Sequence, residues 1–268
     1  MHKSFVREKR TFASAGALWL ATLPGVAVGQ PVLQHQWDFN EPGGVTAFAS
    51  VGEVHGHLTP GALLGDGVVT FTGATYPDNA VRFGGGVGAF RDRDFAVELR
   101  MRSTQTTQFG VPIELLGNRT TIGAGSFFDI RGFVGGQIGV ELFGWNDAAT
   151  VESTRSVFDG FWHTIRVERT GTLLSLFIDG SLEATSTSWE AVDIVPDDDL
   201  ILGNQYVSSI FPTAPFVGEI DALRIFTIPT PNSALLLSLA GTVAAGRRRR
   251  SVQSIDQCQT RSHRAYLK

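Results

Sequence analysis

Alternation of apolar and polar residues with a period of two dominates the middle of this 268-residue chain. In Phe95–Arg102 the odd positions are apolar, and Glu98, Arg100 and Arg102 occupy even positions. Successive side chains of a β-strand point to opposite faces, so this pattern predicts a strand with one buried and one solvated face. Such a strand has to pair with neighbouring strands, and a second layer has to cover its apolar face.

Comparable runs follow one another from residue 31 to residue 226, and none has the spacing of an amphipathic helix. Asp179-Gly180 separates two of these runs and is typical of a two-residue hairpin turn. The other predicted strands are 33–39, 68–71, 80–83, 111–116, 127–130, 137–143, 174–178, 181–187, 200–202 and 216–226. Many short strands with glycine-rich turns predict an all-β fold, a two-sheet antiparallel jelly-roll sandwich.

Charge is distributed unevenly along the chain. Residues 31–228 contain eleven arginines, no lysine and 24 acidic residues, a net charge of −13, whereas residues 1–30 carry +3 and residues 229–268 carry +6. A domain this acidic repels phosphate backbones, which argues against nucleic acid as a partner. The only cysteine, Cys258, excludes an intramolecular disulfide and a cysteine-based zinc site.

The N-terminal residues have the pattern of a secretory signal peptide. A basic stretch ends at Arg10, an apolar run covers 12–28, and Ala27-Val28-Gly29 supplies the small residues that precede a signal-peptidase cut. We therefore expect residues 1–29 to be removed after Gly29 and the rest to be exported. The alternative is a buried amphipathic helix, but the apolar run has no polar face.

The C-terminal residues combine Pro229-Thr230-Pro231, an apolar run over 233–246 and four arginines over 247–250. The 14-residue run is short for a membrane span of about 20 residues, and the arginines would hold its end on the cytoplasmic side. Residues 228–250 resemble the PEP-CTERM sorting signal of bacterial exosortase systems, although Thr230 stands where that signal usually has glutamate.

This resemblance implies transient anchoring in the inner membrane, followed by exosortase-type cleavage near Pro229 and Pro231. A permanent short anchor and a buried terminal helix stay open as alternatives. Residues 251–268 are expected to form a disordered tail.

Several segments between the two ends resemble, in order, the laminin-G-like and concanavalin A-like jelly roll. The segments are 37–41, 79–85, Phe95–Arg102, 160–167, 174–180, 200–203 and 216–226. The resemblance implies that residues 30–227 form one domain of this fold. It implies no single function, because the fold carries lectins, adhesion modules and hydrolases.

Catalytic patterns are incomplete. Some glucanases of this fold carry two glutamates around an aspartate on one strand, and Glu219 and Asp221 resemble the first two of these residues. Arg224 occupies the position of the second glutamate, and an arginine cannot donate and then accept the proton. The sequence therefore predicts no catalytic carboxylate pair. His55 and His57 are expected in a solvent-exposed loop.

Calcium is the ion that the resemblance implies, because laminin-G-like domains often hold one at the rim of the sandwich. Carboxylate oxygens are suitable calcium ligands, and the candidates are Asp197 and Asp199 in a run of three acids, and Asp147 after Trp145. Three consecutive acids also commonly form a solvated turn, so no cofactor is required by the sequence.

Two tryptophans lie beside polar loop residues. Trp145 precedes Asn146, and Trp189 follows Ser188. Exposed indole rings would offer a stacking surface to the apolar faces of sugars, whereas the alternative is that each ring packs under a loop. His163, within the predicted strand 160–167, is expected to be a structural residue.

Together these patterns predict an exported, non-catalytic binding or structural module of the cell surface or extracellular matrix. The expected partner is an extracellular polysaccharide or protein. Two alternatives stay open: a carbohydrate-active enzyme, either glycosidase or lyase, of the same fold, and a purely structural envelope component without a small ligand.

Overall fold

The computed structural model describes residues 30–84, 86–119, 125–196, 199–204 and 213–229. These residues form 18 strands and no helix. The strands are β1 (Val32–Trp37), β2 (Thr46–Ala47), β3 (Ala49–Val51), β4 (Gly56–Leu58), β5 (Ala62–Gly65), β6 (Val68–Thr72), β7 (Val81–Phe83), β8 (Phe95–Arg102), β9 (Ile113–Gly117), β10 (Phe127–Gly132), β11 (Ile138–Phe143), β12 (Ala148–Glu152), β13 (His163–Thr170), β14 (Leu173–Ile178), β15 (Ser181–Thr187), β16 (Leu200–Leu202), β17 (Ala214–Pro215) and β18 (Val217–Thr227).

Two sheets contain all of these strands. Sheet A has the order β15-β14-β13-β8-β18-β1-β3, with β6 also paired to β18 and β5 to β6. Sheet B has the order β12-β11-β10-β9-β16-β7-β4-β2, with the short β17 parallel to β9. All other strand pairs are antiparallel, and neighbours far apart in sequence lie side by side, as in β1 with β18. The predicted all-β jelly-roll sandwich is confirmed.

The core lies between the two sheets and follows the alternation seen in the sequence. Val97, Leu99 and Met101 of β8 are fully buried, and they belong to the same cluster as Phe128 and Ile130 of β10. Burial of such side chains stabilises the fold by roughly 1.5–3 kcal/mol each. The predicted period of two therefore places every second residue of the central strands in this core.

Two buried polar side chains connect parts of the sandwich. Asn79, fully buried, accepts a hydrogen bond from the Gly73 N–H (2.7 Å) and donates through Nδ2 to the carbonyls of Gly203 (3.2 Å) and Phe216 (2.9 Å). These bonds hold three separate chain segments together, and their loss would leave buried backbone groups without partners.

Arg169 of β13 is the second of these residues. Its guanidinium is buried and donates to the carbonyls of Val192, Arg91 (2.7 Å) and Arg93, and it lies 5.0 Å from the centre of the Phe95 ring. Burial lowers the pKa of Arg169 to about 10, because the nearest acids only partly offset the desolvation. The side chain thus fastens two loops to sheet A.

Several predictions for the chain ends lie outside the described residues. They are the signal peptide with Ala27 and Gly29, the sorting segment from residue 230 with Pro231, and the tail 251–268. Pro229, at the border, is exposed, and β18 ends at Thr227. The part of the chain that the structure describes contains no helix of the length and apolar character needed to cross a membrane.

The structure corrects the expectation that both His55 and His57 lie in a loop. His57 is not in a loop but in β4, where it pairs with Thr46 and Arg82 of the neighbouring strands. His55 lies outside the strands and its Nδ1 accepts a hydrogen bond from the Ala49 N–H at 3.1 Å. β4 and its partners β2 and β7 are only two or three residues long, which is too short to show an alternating pattern in the sequence.

Candidate functional site

Both predicted tryptophans are exposed. Trp145 lies in the turn between β11 and β12 and is 76 % exposed, and Trp189 follows β15 and is 97 % exposed. The alternative that these rings pack under a loop is therefore wrong. Both indole rings are therefore accessible to a ligand.

Asp147 and Asn146 join the two loops that carry these rings. The N–H groups of Trp189 (2.5 Å) and Glu190 (3.2 Å) donate to Asp147 Oδ2. Asn146 donates through Nδ2 to the Ala191 carbonyl at 2.9 Å, and its Oδ1 accepts from the Asp193 N–H at 3.1 Å. We call the surface formed by Trp145, Asn146, Asp147 and Trp189 the tryptophan edge.

Two of the three predicted calcium ligands, Asp147 and Asp199, lie among the described residues. Asp147 uses both carboxylate oxygens for backbone N–H groups, and bonds from Ala148, Glu190 and Trp189 hold its pKa below the ordinary value. Asp199 is half-buried just before β16, and Asp197 lies outside the described residues. No group of three or more His, Cys, Asp or Glu suited to a metal ion occurs in the described ranges.

The outer face of sheet A carries a lattice of paired charges. Glu98 of β8 accepts hydrogen bonds from Arg166 on one neighbouring strand (3.4 Å) and Arg224 on the other (2.9 Å). Arg100 and Arg102 lie with their guanidinium carbons 4.8 and 4.9 Å from the Trp162 ring centre. These contacts keep long charged side chains flat against the sheet.

A groove of about 390 Å³ crosses this face. Its lining includes two small side chains, Thr164 and Ala222, and Ala222 lies where the register between β18 and β8 shifts. The longer side chains of Glu98, Arg100 and Arg224 also line it. The groove is polar: Arg224 donates to Glu98, Arg100 pairs with Asp221, and Asp38 accepts hydrogen bonds from Gln36 and Ser50.

Of the two glucanase-like residues, Asp221 lines this groove and Glu219 precedes Asp221 by two residues on β18. A β-bulge in β18 near Asp221 places Glu219 and Asp221 on the solvent side of sheet A, but each is bound to an arginine. Arg102 pairs with Glu219, and Arg100 pairs with Asp221. Each of these two carboxylates is therefore engaged by an arginine on the neighbouring strand β8.

Sheet B carries a second charged cluster, which the sequence analysis did not identify. Glu114 lies on β9, Asp129 and Arg131 on β10, and Glu141 on β11, while Arg119 follows β9 by two residues. Arg131 binds Glu141 and lies 3.0 Å from Asp129, and Arg119 lies 3.4 Å from Glu141 and 3.7 Å from Asp129. We call these five residues the sheet B cluster.

Burial perturbs the acids of this cluster. Glu114 is 1 % exposed, and desolvation together with the charge of Asp129 raises its pKa well above the ordinary value. Desolvation raises the pKa of Asp129 to about 6, despite its arginine neighbours. Buried acids with raised pKa values are common at functional sites. The available sequence signal was a charged residue within a strand that is otherwise apolar, as in Ile113-Glu114-Leu115.

His163 begins β13 between two aspartates. Its Nδ1 lies 2.8 Å from Asp179 Oδ2 and its Nε2 lies 3.0 Å from Asp159 Oδ1. Burial lowers the pKa of His163, but the hydrogen bonds and charges of Asp179 and Asp159 outweigh it, so the pKa is raised. Because the two ring nitrogens point to opposite sides, this arrangement fastens a loop to the β14–β15 hairpin and does not form a single metal site.

Three solved structures are similar to this chain at low sequence identity. Trypanosoma rangeli sialidase in complex with the inhibitor DANA is 12 % identical with a TM-score of 0.51, over 75 % of this chain and 31 % of that chain. The Ruminococcus gnavus IT-sialidase CBM40 is 18 % identical with a TM-score of 0.42, over 57 % of this chain and 84 % of that chain. Mouse laminin alpha1 domains LG4-5 are 13 % identical with a TM-score of 0.42, over 78 % of this chain and 45 % of that chain.

No curated protein sequence matches the chain. The laminin-G-type family model of the concanavalin A-like lectin/glucanases superfamily matches residues 73–232, which include the twelve strands from β7 to β18 and most of both sheets. The two-sheet topology agrees with that match. The chain belongs to the concanavalin A-like lectin/glucanases superfamily.

Proposed function

We propose that this protein is an exported, non-catalytic carbohydrate-binding module, and that the tryptophan edge is its binding surface. The observation that carries the proposal is the exposure of Trp145 and Trp189 on loops joined through Asp147. Membership of a superfamily named for lectins and glucanases supports a saccharide ligand. The proposed partner is an extracellular polysaccharide.

Stacking on these rings supplies binding energy. Covering about 100 Å² of an indole ring with the apolar face of a sugar contributes roughly 2.5 kcal/mol at about 25 cal/mol per Å². Two such contacts, with hydrogen bonds from nearby polar groups, support binding in the range of weak lectin-type complexes. The loop bonds of Asp147 and Asn146 reduce the conformational entropy lost on binding, because they order the loops before the ligand arrives.

Pairing of Glu219 and Asp221 with arginines supports a binding role in place of hydrolysis. A retaining glycosidase needs a nucleophilic carboxylate and a second carboxyl group that exchanges a proton, about 5 Å apart. Glu219 and Asp221 instead form ion pairs with Arg102 and Arg100. Arg224, at the position of the missing glutamate, binds Glu98.

Export and sorting complete the proposal. Signal-peptide removal after Gly29 and exosortase-type cleavage near Pro229 and Pro231 would leave the acidic domain at the cell surface or in the matrix. An acidic domain is expected to stay soluble and to attract cations in such a polymer matrix. Mass spectrometry of protein recovered from cells tests this part, and a mature chain that retains residues 247–250 would contradict it.

Retention on a panel of immobilised polysaccharides tests the binding function. We expect retention by the wild-type chain, a loss of at least tenfold in affinity for the Trp145→Ala and Trp189→Ala variants, and no new reducing ends. Phe48→Ala is the matched control, because Phe48 is 56 % exposed between β2 and β3, at the opposite edges of the two sheets. Release of shorter sugars would instead support the enzyme, and neither retention nor release would support a purely structural role.

Calcium at Asp197 and Asp199 stays a prediction. Calorimetric titration with millimolar calcium tests it, with a rise in melting temperature as the expected companion effect. The absence of both heat and stabilisation would remove calcium from the proposal.

A further inference from the structure

The first and the last strand of the domain meet at one end of the sandwich. β1 begins at Val32 and β18 ends at Thr227, and these two residues are directly paired in sheet A. The Ile228 N–H then donates to the Asp94 carbonyl at 3.0 Å, so the chain is held in place beyond the end of β18. The flanking residues in both directions therefore attach at this end of the sandwich.

The tryptophan edge belongs to the same end. Asp94, just before β8, accepts a hydrogen bond through Oδ1 from the Gly171 N–H at 2.6 Å, in the turn between β13 and β14. The Ser188 N–H donates to the carbonyl of the adjacent Thr172 at 3.1 Å, directly before Trp189. A continuous set of contacts thus leads from the place where the chain leaves the domain to the loops that carry the exposed indole rings.

The sequence has an apolar run close to this end on each side. The run over 233–246 begins after the four residues 229–232, and the run over 12–28 stops three residues before β1. Four extended residues span at most about 14 Å, and three span at most about 11 Å. With either run in a bilayer, this end of the sandwich has to lie close to the headgroup layer, which is the outer part of the membrane.

We propose that, while the chain is anchored, the tryptophan edge rests on the membrane, and that Trp145 and Trp189 lie in the headgroup layer. This inference rests on the anchoring that is part of the proposed function, and it adds a regulation of the same surface. Rings covered by lipid are closed to polysaccharide, so polysaccharide binding begins when the C-terminal segment is cut.

Indole rings suit this position. Tryptophan is enriched at membrane–water interfaces, because its apolar ring and its N–H group favour a layer that is apolar on one side and wet on the other. Besides Trp145 and Trp189, Leu173 at the start of β14 is 41 % exposed at this end. Four strand spacings, about 19 Å, separate β15 from β18 in sheet A. The chain exit and the rings are therefore two separate points of contact, and together they set the tilt of the domain.

Charges at this end favour a zwitterionic lipid surface. Asp92, Glu190 and Asp193 are exposed here. Arg91 and Arg93 are the exposed arginines beside Asp92. The acids outnumber these arginines, so an anionic membrane surface would repel this end of the domain. The contact therefore depends on the apolar rings, and the bilayer that fits it carries headgroups without net charge.

Fluorescence quenching in vesicles tests the inference. The full chain is reconstituted in phosphatidylcholine vesicles, with and without bromine on the acyl chains near the headgroups, and flotation separates bound from free protein. A Trp145→Phe/Trp189→Phe double variant removes the two reporters and keeps apolar rings at both positions. The matched control adds Phe109→Trp to the double variant, because Phe109 is 90 % exposed between β8 and β9, at the other end of the sandwich. The other tryptophans occur in all three proteins, so only differences are compared.

We expect all three proteins to float with the vesicles. The double variant should lose at least half of the emission that brominated lipid quenches in the wild type, and the Phe109→Trp reporter should restore none of it. Equal quenching in the wild type and the double variant, or quenching of the Phe109→Trp reporter, overturns the inference. Polysaccharide retention by the wild-type chain would then still support the proposed binding function. Absence of the wild type from the floated vesicles would overturn the anchoring, and the inference with it.

Discussion

Asp129 and Glu141 lie directly opposite each other on β10 and β11, and Arg131 binds the carboxylates of both. Like charges at opposed positions of a sheet destabilise the pair unless a counter-charge lies between them. Arg119 adds a second positive charge, but Glu114 has no ion pair among the described residues. The cluster therefore carries one more negative charge than positive charges when all five residues are ionised.

Glu114→Gln is expected to stabilise the fold at pH 8 by about 1–3 kcal/mol, because the variant removes the unpaired buried charge and keeps the shape. The pKa of Glu114 is raised in the folded state, so the folded state binds the proton more tightly than the unfolded state. Its stabilising contribution is present in acid and is lost as the pH rises through the folded pKa. Urea unfolding at pH 5 and pH 8 measures the effect.

The same experiment isolates Glu114 from other titrating groups. The pKa of Asp129, raised to about 6, gives the wild type a stability contribution that is lost as the pH rises from about 4 to about 6. This contribution stays in the variant, so only the difference between the two proteins reports on Glu114. Equal stability of both proteins at pH 8 would show that Glu114 is hydrated or paired in solution.

His163→Ala is expected to cost about 1 kcal/mol more at pH 6 than at pH 8. The pKa of His163 is raised in the folded state, so the protonated ring stabilises the fold below the unfolded pKa and this contribution is lost at higher pH. Part of each aspartate is exposed, and solvent screening keeps the effect small. Unfolding curves at both pH values measure it, with His57→Ala as a control histidine. A cost independent of pH would show that packing alone explains the role of His163.

Arg169→Lys is expected to destabilise the fold by about 2 kcal/mol, and Arg169→Met by about 3–5 kcal/mol. The guanidinium reaches three carbonyls of two loops, a geometry that an ammonium group cannot reproduce, and removal of the charge leaves these buried acceptors unpaired. Thermal unfolding measures both changes. Arg82→Lys is the control, because Arg82 contacts the exposed Tyr76 at the surface. Similar losses for both positions would contradict the assigned role.

Asn79→Asp is expected to destabilise the fold by about 2–4 kcal/mol, although the two side chains have the same shape. The change replaces the Nδ2 donor, which binds the Gly203 and Phe216 carbonyls, by an acceptor in a fully buried place. Asn79 also has a φ of +94°, a conformation that asparagine and aspartate tolerate better than most residues, so backbone strain is similar in both proteins. Denaturant unfolding at pH 7 checks the value, and a change below 1 kcal/mol would contradict it.

The strands were predictable where their pattern is long. Phe95–Arg102 and the segment before Asp179-Gly180 alternate over enough residues to define a period, and the structure contains them as β8 and β14. Short strands such as β2, β4 and β17 were not predicted, because two or three residues have no measurable period. Their positions depend on the strands beside them.

The sequence identified Trp145 and Trp189 as candidate sugar-stacking residues, but it did not show that their loops are joined into one surface. Trp145 and Trp189 stood out by type and by their polar neighbours, whereas their exposure depends on how the two loops pack. Asp147 joins loops 42 residues apart in the sequence through the Trp189 N–H. A local pattern contains no information about such a contact.

By itself the sequence determined the fold class, because alternation, turn residues and charge are local properties that a β-sandwich must satisfy. Only the tertiary structure decided which charges meet. Glu114, Asp129 and Glu141 come from three strands, and their contact depends on strand order and register in sheet B. A shift of one residue in register would turn them toward the other face, so the burial that raises the pKa values of Glu114 and Asp129 is a property of the assembled sheet.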